Sequence, residues 1–421
     1  MVVQEDPVQP PRPGRAIAAS TAPEATPGPS RRIAMVVMSR YPADPRVRRE
    51  AEALERAGHA VEVFCLRGPD EPARSVYGSV TAHRIMRERD KESVVQYLAT
   101  SVAFTAASTA RLLGKSVRTR YDAVQAHTMP DYLAFAGIVH RVLRRPLVLD
   151  LHDLSVELLG SKWSGRKAKL LTPIVKLGER VSCGLSTHLI STSPGFTDRL
   201  VSRGNDRDKI TLVLNTANPD LFYDDGTRTF SPIERDARLV YHGTITERFG
   251  LAVAIEALVE LRRHVPGSTF EIYGEAEPTE LARLQGLVEE LDLHDAVTFG
   301  GWRSFEELGP IIRSADIGVV PYLHDEFMDL ALSTKTFEYA ASGLPVVASR
   351  LKPVESVFGE EPIQYFEPGD ARDLADQLIR ACGDTDGRRR RAELAAAAVE
   401  SISGEVMARR YVDLIEGAIG R

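Results

Sequence analysis

The segment Leu332-Ser333-Thr334-Lys335-Thr336-Phe337-Glu338 gathers a helix N-cap, a cation and a carboxylate within two turns of chain. It follows the run Asp316-Ile317-Gly318-Val319-Val320-Pro321 after a long loop, and Ser333 or Thr334 would open a helix that closes near Gly343. The first turn of a helix offers free backbone N–H groups and the positive end of the peptide dipole, a setting that suits a diphosphate. Lys335 stands in that turn, where a cation opposes the dipole unless an anion compensates it. Glu338, one turn on, is placed to accept hydrogen bonds from ribose hydroxyls. The same residues also read as a surface lysine and a solvated glutamate on an amphipathic helix, and spacing does not separate the two.

Other junctions carry similar potential. Gly243-Thr244-Ile245-Thr246-Glu247-Arg248-Phe249-Gly250 follows Arg238–His242; its glycines permit close backbone approach, and Arg248 can clamp phosphate oxygens with two parallel bonds. Tyr273-Gly274-Glu275 and Gly300-Gly301-Trp302 end two further apolar runs of the same half. Each is also an ordinary strand-exit turn. In the first half, Ser39-Arg40-Tyr41-Pro42-Ala43-Asp44-Pro45-Arg46, His127-Thr128-Met129-Pro130-Asp131 and Asp150-Leu151-His152-Asp153 follow apolar runs. A histidine in such a place suits substrate contact or proton transfer, and equally a structural cap.

The elements that must position these residues are legible as alternation. Ile33–Met38, Ala60–Cys65, Tyr121–His127, Pro146–Asp150 and Thr187–Ile190 read as strands separated by helical stretches, one of them running from Asp44 to Ala57. After Asn215, the stretch from Pro219 to Asp236 reads as a connection. Alternation resumes with strands at Arg238–His242, Thr269–Tyr273, Ala296–Phe299, Asp316–Pro321 and Pro345–Ala348, and a helix from Gly250 to His264. This is an α/β pattern of two consecutive Rossmann-like units with parallel sheets, whose ligands sit beyond the carboxyl ends of the strands.

Bulk properties agree. A chain of 421 residues suits two domains, and 43% hydrophobic with 27% charged residues is ordinary for a globular protein. A net charge of −6 gives no support for nucleic-acid binding. The scattered Cys65, Cys183 and Cys382 form no disulfide framework, which suits a reducing, cytoplasmic setting. No apolar run is long enough for a membrane span. Residues 1–31, rich in proline, read as a disordered tail. Asp206-Arg207-Asp208 and Asp384-Thr385-Asp386 read as surface charge and not as metal ligands, and Arg388–Arg391 as the solvated start of a helix. Lys162–Lys169 with Leu170, Leu171, Ile174, Val175, Lys176 and Arg180 has basic amphipathic character, which fits either an anionic bilayer surface or a plain surface helix.

Taken in order, several segments resemble the retaining GT-B glycosyltransferases of family 4, the group 1 glycosyltransferases. They are Asp44–Glu50 with the helix to Gly58-His59, Asp150-Leu151-His152-Asp153, Asn215–Pro219 with Phe222, Tyr241-His242-Gly243, and the run Thr334–Ala348. The resemblance spans nearly everything from Arg32 onward. It implies a GT-B architecture with an interdomain cleft: an acceptor-side domain over 32–217, a nucleotide-sugar domain over 218–403, and a helix over 404–421 crossing back to the first. Glu338 then matches the second glutamate of the family's E-x7-E motif, on the donor ribose. Lys335, Arg248 and the helix N-terminus would hold the diphosphate, with Gly243, Thr244, Gly274, Ser333 and Thr334 around the donor and Gly301-Trp302 at the nucleobase. His152 would face the donor sugar. The acceptor would enter along Asp44, Arg46, His127, Met129, Asp131 and Asp153.

The resemblance implies transfer of a sugar from a nucleoside diphosphate sugar to a hydroxyl on a glycan or lipid-linked acceptor, with no metal or further cofactor required. Cell-surface polysaccharide or glycolipid assembly, with weak contact to the inner membrane face, goes with it. Two departures stand out: Leu330 occupies the position of the first glutamate, with Asp329 as a neighbouring stand-in, and Thr244 follows Gly243 where the family places an arginine. A silent nucleotide-sugar binder and an epimerase or hydrolase on the same fold are the alternatives.

Overall fold

The computed structural model describes residues 30–88, 94–118, 120–162 and 166–420, leaving aside the side chains of 94–95, 161–162 and 166–170. Most of the expected tail, and much of the basic stretch 162–169, lie outside the described residues.

Two sheets form. The first contains β1 (Arg32–Arg40), β2 (Ala60–Arg67), β3 (Arg74–Tyr77), β4 (Val80–Arg87), β5 (Ala123–His127), β6 (Leu147–Leu151), β7 (His188–Ser191) and β8 (Ile210–Leu212), in the order β3-β4-β2-β1-β5-β6-β7-β8. The second contains β9 (Arg238–His242), β10 (Thr269–Tyr273), β11 (Val297–Gly301), β12 (Ile317–Val320), β13 (Val346–Ser349) and β14 (Gln364–Phe366), in the order β11-β10-β9-β12-β13-β14. The pairings are parallel except β3 with β4. β1 and β9 are central, and both are buried from their second residue inward, as strands covered on two faces must be.

The edge hairpin β3–β4 and the three-residue strands β8 and β14 have no counterpart in the sequence reading. β3 is largely exposed and β8 and β14 are short, so neither alternation nor a long apolar run marks them.

The chain reverses its direction of sheet growth between β1 and β5, and again between β9 and β12. Such switch points open a crevice at the carboxyl ends of the strands. The exits of β1, β5 and β6 bring Asp44, His127 and His152 to one such crevice; the exits of β9 and β12 bring Gly243 and Tyr322 to the other.

The connection is anchored at both ends. Arg46 donates to the Val213 carbonyl at 3.1 Å and Asn215 Oδ1 at 2.9 Å, and Arg49 to the Thr216 carbonyl at 2.9 Å. Arg388 does the same on the other side: it is buried and donates to the carbonyls of Ala381, Cys382 and Ser231, so it is a structural tie and not part of a solvated helix start. Asp384 caps helix Thr385–Ser401. Helix Gly404–Gly420 returns to the first domain, where Tyr411 donates to Gln125 Oε1 and Glu416 pairs with His59 at 3.1 Å.

Candidate active site

Helix Thr334–Ala341 starts at Ser333, whose backbone is extended, as at an N-cap, but whose side chain makes no capping bond; the Ser333 hydroxyl donates to Tyr322 Oη instead, at 3.2 Å. No acidic residue sits in the first turn. The helix therefore points an uncapped, positively polarised end at the β9–β12 crevice.

Lys335 adds a full charge there. Its side chain is buried, at 8% exposure, and Nζ donates to Tyr322 Oη at 2.9 Å. The ammonium also lies 5.3, 5.0 and 5.5 Å from the ring centroids of Tyr241, Phe249 and Tyr322. Three negative ring faces steady a cation where water cannot. Among the described residues no carboxylate pairs with Lys335. The lysine also explains Gly243: with φ of 118°, a Cβ there would come 2.5 Å from Lys335 Nζ.

The exits of β9, β10 and β11 lie side by side. Gly243 N–H donates to the Tyr273 carbonyl at 2.8 Å and Gly274 N–H to the Gly301 carbonyl at 2.9 Å; a Cβ on Gly274 would meet Gly243 O at 1.8 Å. Thr244 accepts from the Tyr241 hydroxyl at 2.8 Å through its carbonyl, and Trp302 is exposed. Arg248 lies at the rim, its Nε 3.9 Å from Asp325 Oδ2 and its guanidinium 5.8 Å from the Phe327 ring. Glu338 Oε2 is 3.0 Å from His242 Nε2 but off the hydrogen-bond line, so both buried atoms keep their bonding capacity. Arg49 reaches across from the first domain within electrostatic range of Glu338.

At the Leu330 position the main chain acts, not the side chain. Its carbonyl accepts from the Ser193 hydroxyl of the first domain, and Gly195 packs against it so closely that a Cβ would lie 2.7 Å from the Leu330 oxygen. Asp329 is paired with His324 at 2.6 Å.

In the first domain, Asp150 is the hub. Its Oδ2 accepts from Arg46 Nε at 2.8 Å and lies 3.1 Å from both His127 Nδ1 and His152 Nε2; its Oδ1 accepts from Arg46 Nη2 at 2.8 Å. Burial alone would raise the Asp150 carboxyl, but the Arg46 guanidinium and the imidazoles hold it well below the usual carboxylate range. Burial pushes His127 down, which keeps it neutral. Glu50, beside them, is pushed well above its usual range by burial and by the charge of Asp150. Of the three residues around Asp150 Oδ2, only His152 reaches solvent appreciably. His127, Asp150 and His152 have atoms close enough to hold a metal ion, yet Arg46 already supplies a positive charge on both Asp150 oxygens.

This arrangement gives several residues a different place from the expected acceptor side. Arg46 and His127 are buried in the Asp150 network, and Arg46 also ties down the connection. Asp44 caps helix Pro45–Arg56 through the N–H groups of Arg46 and Val47 and accepts from Ser39. Asp131 is buried and accepts from the Ser155 hydroxyl at 2.8 Å. Met129 is partly exposed and Asp153 half-buried. The aromatic cage and Asp150 carry no role in the sequence reading. The one available signal was aromatic residues at the ends of two adjacent central strands, Tyr241 in β9 and Tyr322 just after β12.

Asp131 allows a stability prediction. Burial, with Glu179 and Glu157 nearby and only Arg203 and Ser155 opposing, raises its carboxyl to about 7. The folded state then holds a proton that the unfolded state releases near pH 4, so this contribution is complete below about pH 4 and is lost as pH rises through 7. An asparagine amide in its place keeps an oxygen for the Ser155 bond and removes the titration. Asp131→Asn should gain stability over the parent as pH rises from 5 to 8, by roughly 2.7 kcal/mol at most, the two pK units between pH 5 and 7. Melting temperatures at both pH values check it, and an equal difference at the two would contradict it.

The chain matches two family profiles: residues 43–216 a "Glycosyl transferase 4-like domain" and residues 236–384 "Glycosyl transferases group 1". An uncharacterized glycosyltransferase of Methanocaldococcus jannaschii is 25% identical over 309 residues, 71% of this chain and 74% of its own. A D-inositol 3-phosphate glycosyltransferase of Paenarthrobacter aurescens is 26% identical over 381 residues, 84% and 88% of the two chains. The amylovoran biosynthesis glycosyltransferase AmsK of Erwinia amylovora is 28% identical over 198 residues, 46% of each. Among solved structures, sucrose-phosphate synthase from Thermosynechococcus elongatus superposes with a TM-score of 0.71 at 21% identity, covering 93% of this chain and 99% of that one. HepE of Anabaena in complex with UDP-glucose gives 0.66 at 17%, covering 92% and 100%.

Proposed function

Since the chain belongs to the group 1 glycosyltransferases, retaining enzymes of family 4 with the GT-B fold, we propose that Lys335, Arg248 and the first turn of helix Thr334–Ala341 hold the diphosphate of its nucleotide-sugar donor. The observation that carries this reading is the buried, caged Lys335 at an uncapped helix N-terminus, a positive site with no carboxylate partner for the lysine among the described residues. Glu338 takes the ribose hydroxyls, Gly301 and Trp302 border the nucleobase, and His152 faces the sugar from the other domain.

As the anomeric bond breaks, negative charge grows on the leaving diphosphate. Lys335 and the helix dipole stabilise that charge from fixed positions, in a pocket drier than solution. The acceptor hydroxyl attacks from the face the diphosphate leaves, its proton passing to a departing phosphate oxygen, so the anomeric configuration is retained. The UDP-glucose complex of HepE favours a uridine nucleotide as the first donor to try. The role of AmsK in amylovoran biosynthesis favours a hydroxyl on a glycan or lipid-linked acceptor, and we place the enzyme at the cytoplasmic side.

A thermal-shift screen against UDP, GDP, ADP and their sugars should return one nucleotide that stabilises the protein. Glu338→Ala should weaken binding of that nucleotide about 10-fold or more, the loss of a charged acceptor pairing with two hydroxyls. Unchanged affinity would remove Glu338 from the donor site.

A further inference from the structure

Helix Arg166–Leu185 carries Arg166, Lys167, Lys169, Lys176 and Arg180 against a single acid, Glu179, in a chain whose net charge is −6. That acid faces inward: Glu179 is buried and Arg203 donates to both its oxygens, at 2.7 and 2.6 Å. The outward face is apolar. Ile174, Leu177 and Val181 are 65%, 63% and 42% exposed, and their spacing places them in one stripe along the helix. Exposed Lys176 and Arg180, one turn apart, run beside it.

The stripe continues beyond the helix. Arg141 Nε donates to the Leu185 carbonyl at 3.2 Å, which brings Val142 and Leu143, both strongly exposed, and Arg144 to the end of the same helix. Single exposed aliphatic residues are ordinary on a protein surface; a stripe joined to a second apolar pair and edged with cations is a docking surface. An anionic bilayer offers phosphate groups to the cations and acyl boundary to the stripe, which matches both the charge and the apolar character of this face.

We propose that this face docks on an anionic bilayer surface, with Ile174, Leu177 and Val181 entering the headgroup–acyl boundary and Lys176 and Arg180 lying among the phosphates. Among the described residues no helix is long and apolar enough to cross a membrane, so this contact is made in the plane of the surface. The inference is independent of the donor site, since none of these residues belongs to it.

The full chain is tested by co-sedimentation with vesicles of phosphatidylcholine alone and of phosphatidylcholine with about one-third phosphatidylglycerol. Binding is expected to the anionic vesicles, to weaken with salt, and to fall on the order of 10-fold in Ile174→Glu/Leu177→Glu. The milder Lys176→Gln/Arg180→Gln should lose much of the anionic preference while its melting temperature stays that of the parent, which guards against misfolding as the cause. No sedimentation with anionic vesicles, or equal binding by the parent and both variants, overturns the proposal. So does a concentration-dependent dimer abolished by the same substitutions without any vesicle binding.

Discussion

Replacing Lys335 by methionine lowers donor turnover about 10²- to 10³-fold and leaves the nucleotide-free protein at least as stable as the parent. The two effects have one cause. The ammonium is buried among Tyr241, Phe249 and Tyr322, with a hydroxyl at 2.9 Å and no carboxylate partner among the described residues. Cation–π contacts and one hydrogen bond offset part of the desolvation penalty of a cation, each at about 1–2 kcal/mol, and the helix dipole works against it. Methionine fills nearly the same volume without that penalty, and the cage receives a thioether well.

Nucleotide reverses the order. At 100 times its dissociation constant a ligand stabilises the parent by about 2.7 kcal/mol, and most of that shift should vanish in Lys335→Met. Turnover of a nucleotide sugar and melting temperatures with and without UDP measure both sides. Full activity in the variant would end the assignment. A clear loss of stability without ligand would make Lys335 a structural residue of the cage instead.

What could be read from the sequence follows from where its information lies. Ile33–Met38 and Leu239–Tyr241 lie in central parallel strands, and burial on both faces makes them apolar; Asp44 followed by Pro45 announces a helix start that the structure uses. These are local signals. The Asp150 network is not local: Arg46 meets a carboxylate 104 positions away, and nothing near Arg46 distinguishes a buried arginine from one lining a cleft. Leu330 illustrates a second limit, because its contact with Ser193 is made by a carbonyl that every residue possesses. The cage is a third case, its rings converging from β9, the Phe249 turn and the chain after β12, so that only the assembled switch point brings them together.

That network carries the other large effect. Asp150→Asn leaves the buried Arg46 facing a neutral amide, and Glu50, 3.2 Å from Arg46 Nη2, is freed of the charge of Asp150 but still disfavoured as an anion by burial, so it replaces the lost charge only in part. Stranding a buried cation in this way costs about 3–5 kcal/mol and should lower the melting temperature by roughly 5–10 °C. Because the Asp150 carboxyl is held below its usual 3.8, the stability it supplies is present above about pH 4 and is lost on further acidification; in the variant this loss is missing. Turnover falls for a separate reason: Asp150 Oδ2 is the partner 3.1 Å from His152 Nε2 that fixes the tautomer and orientation of the ring. A drop of about 10²-fold or more is expected from an imidazole held wrongly. The double variant Arg46→Met/Asp150→Leu separates the two losses, since removing both charges recovers much of the stability while His152 stays unheld. If turnover returned together with stability, Asp150 would be a folding element alone and His152 would not depend on it.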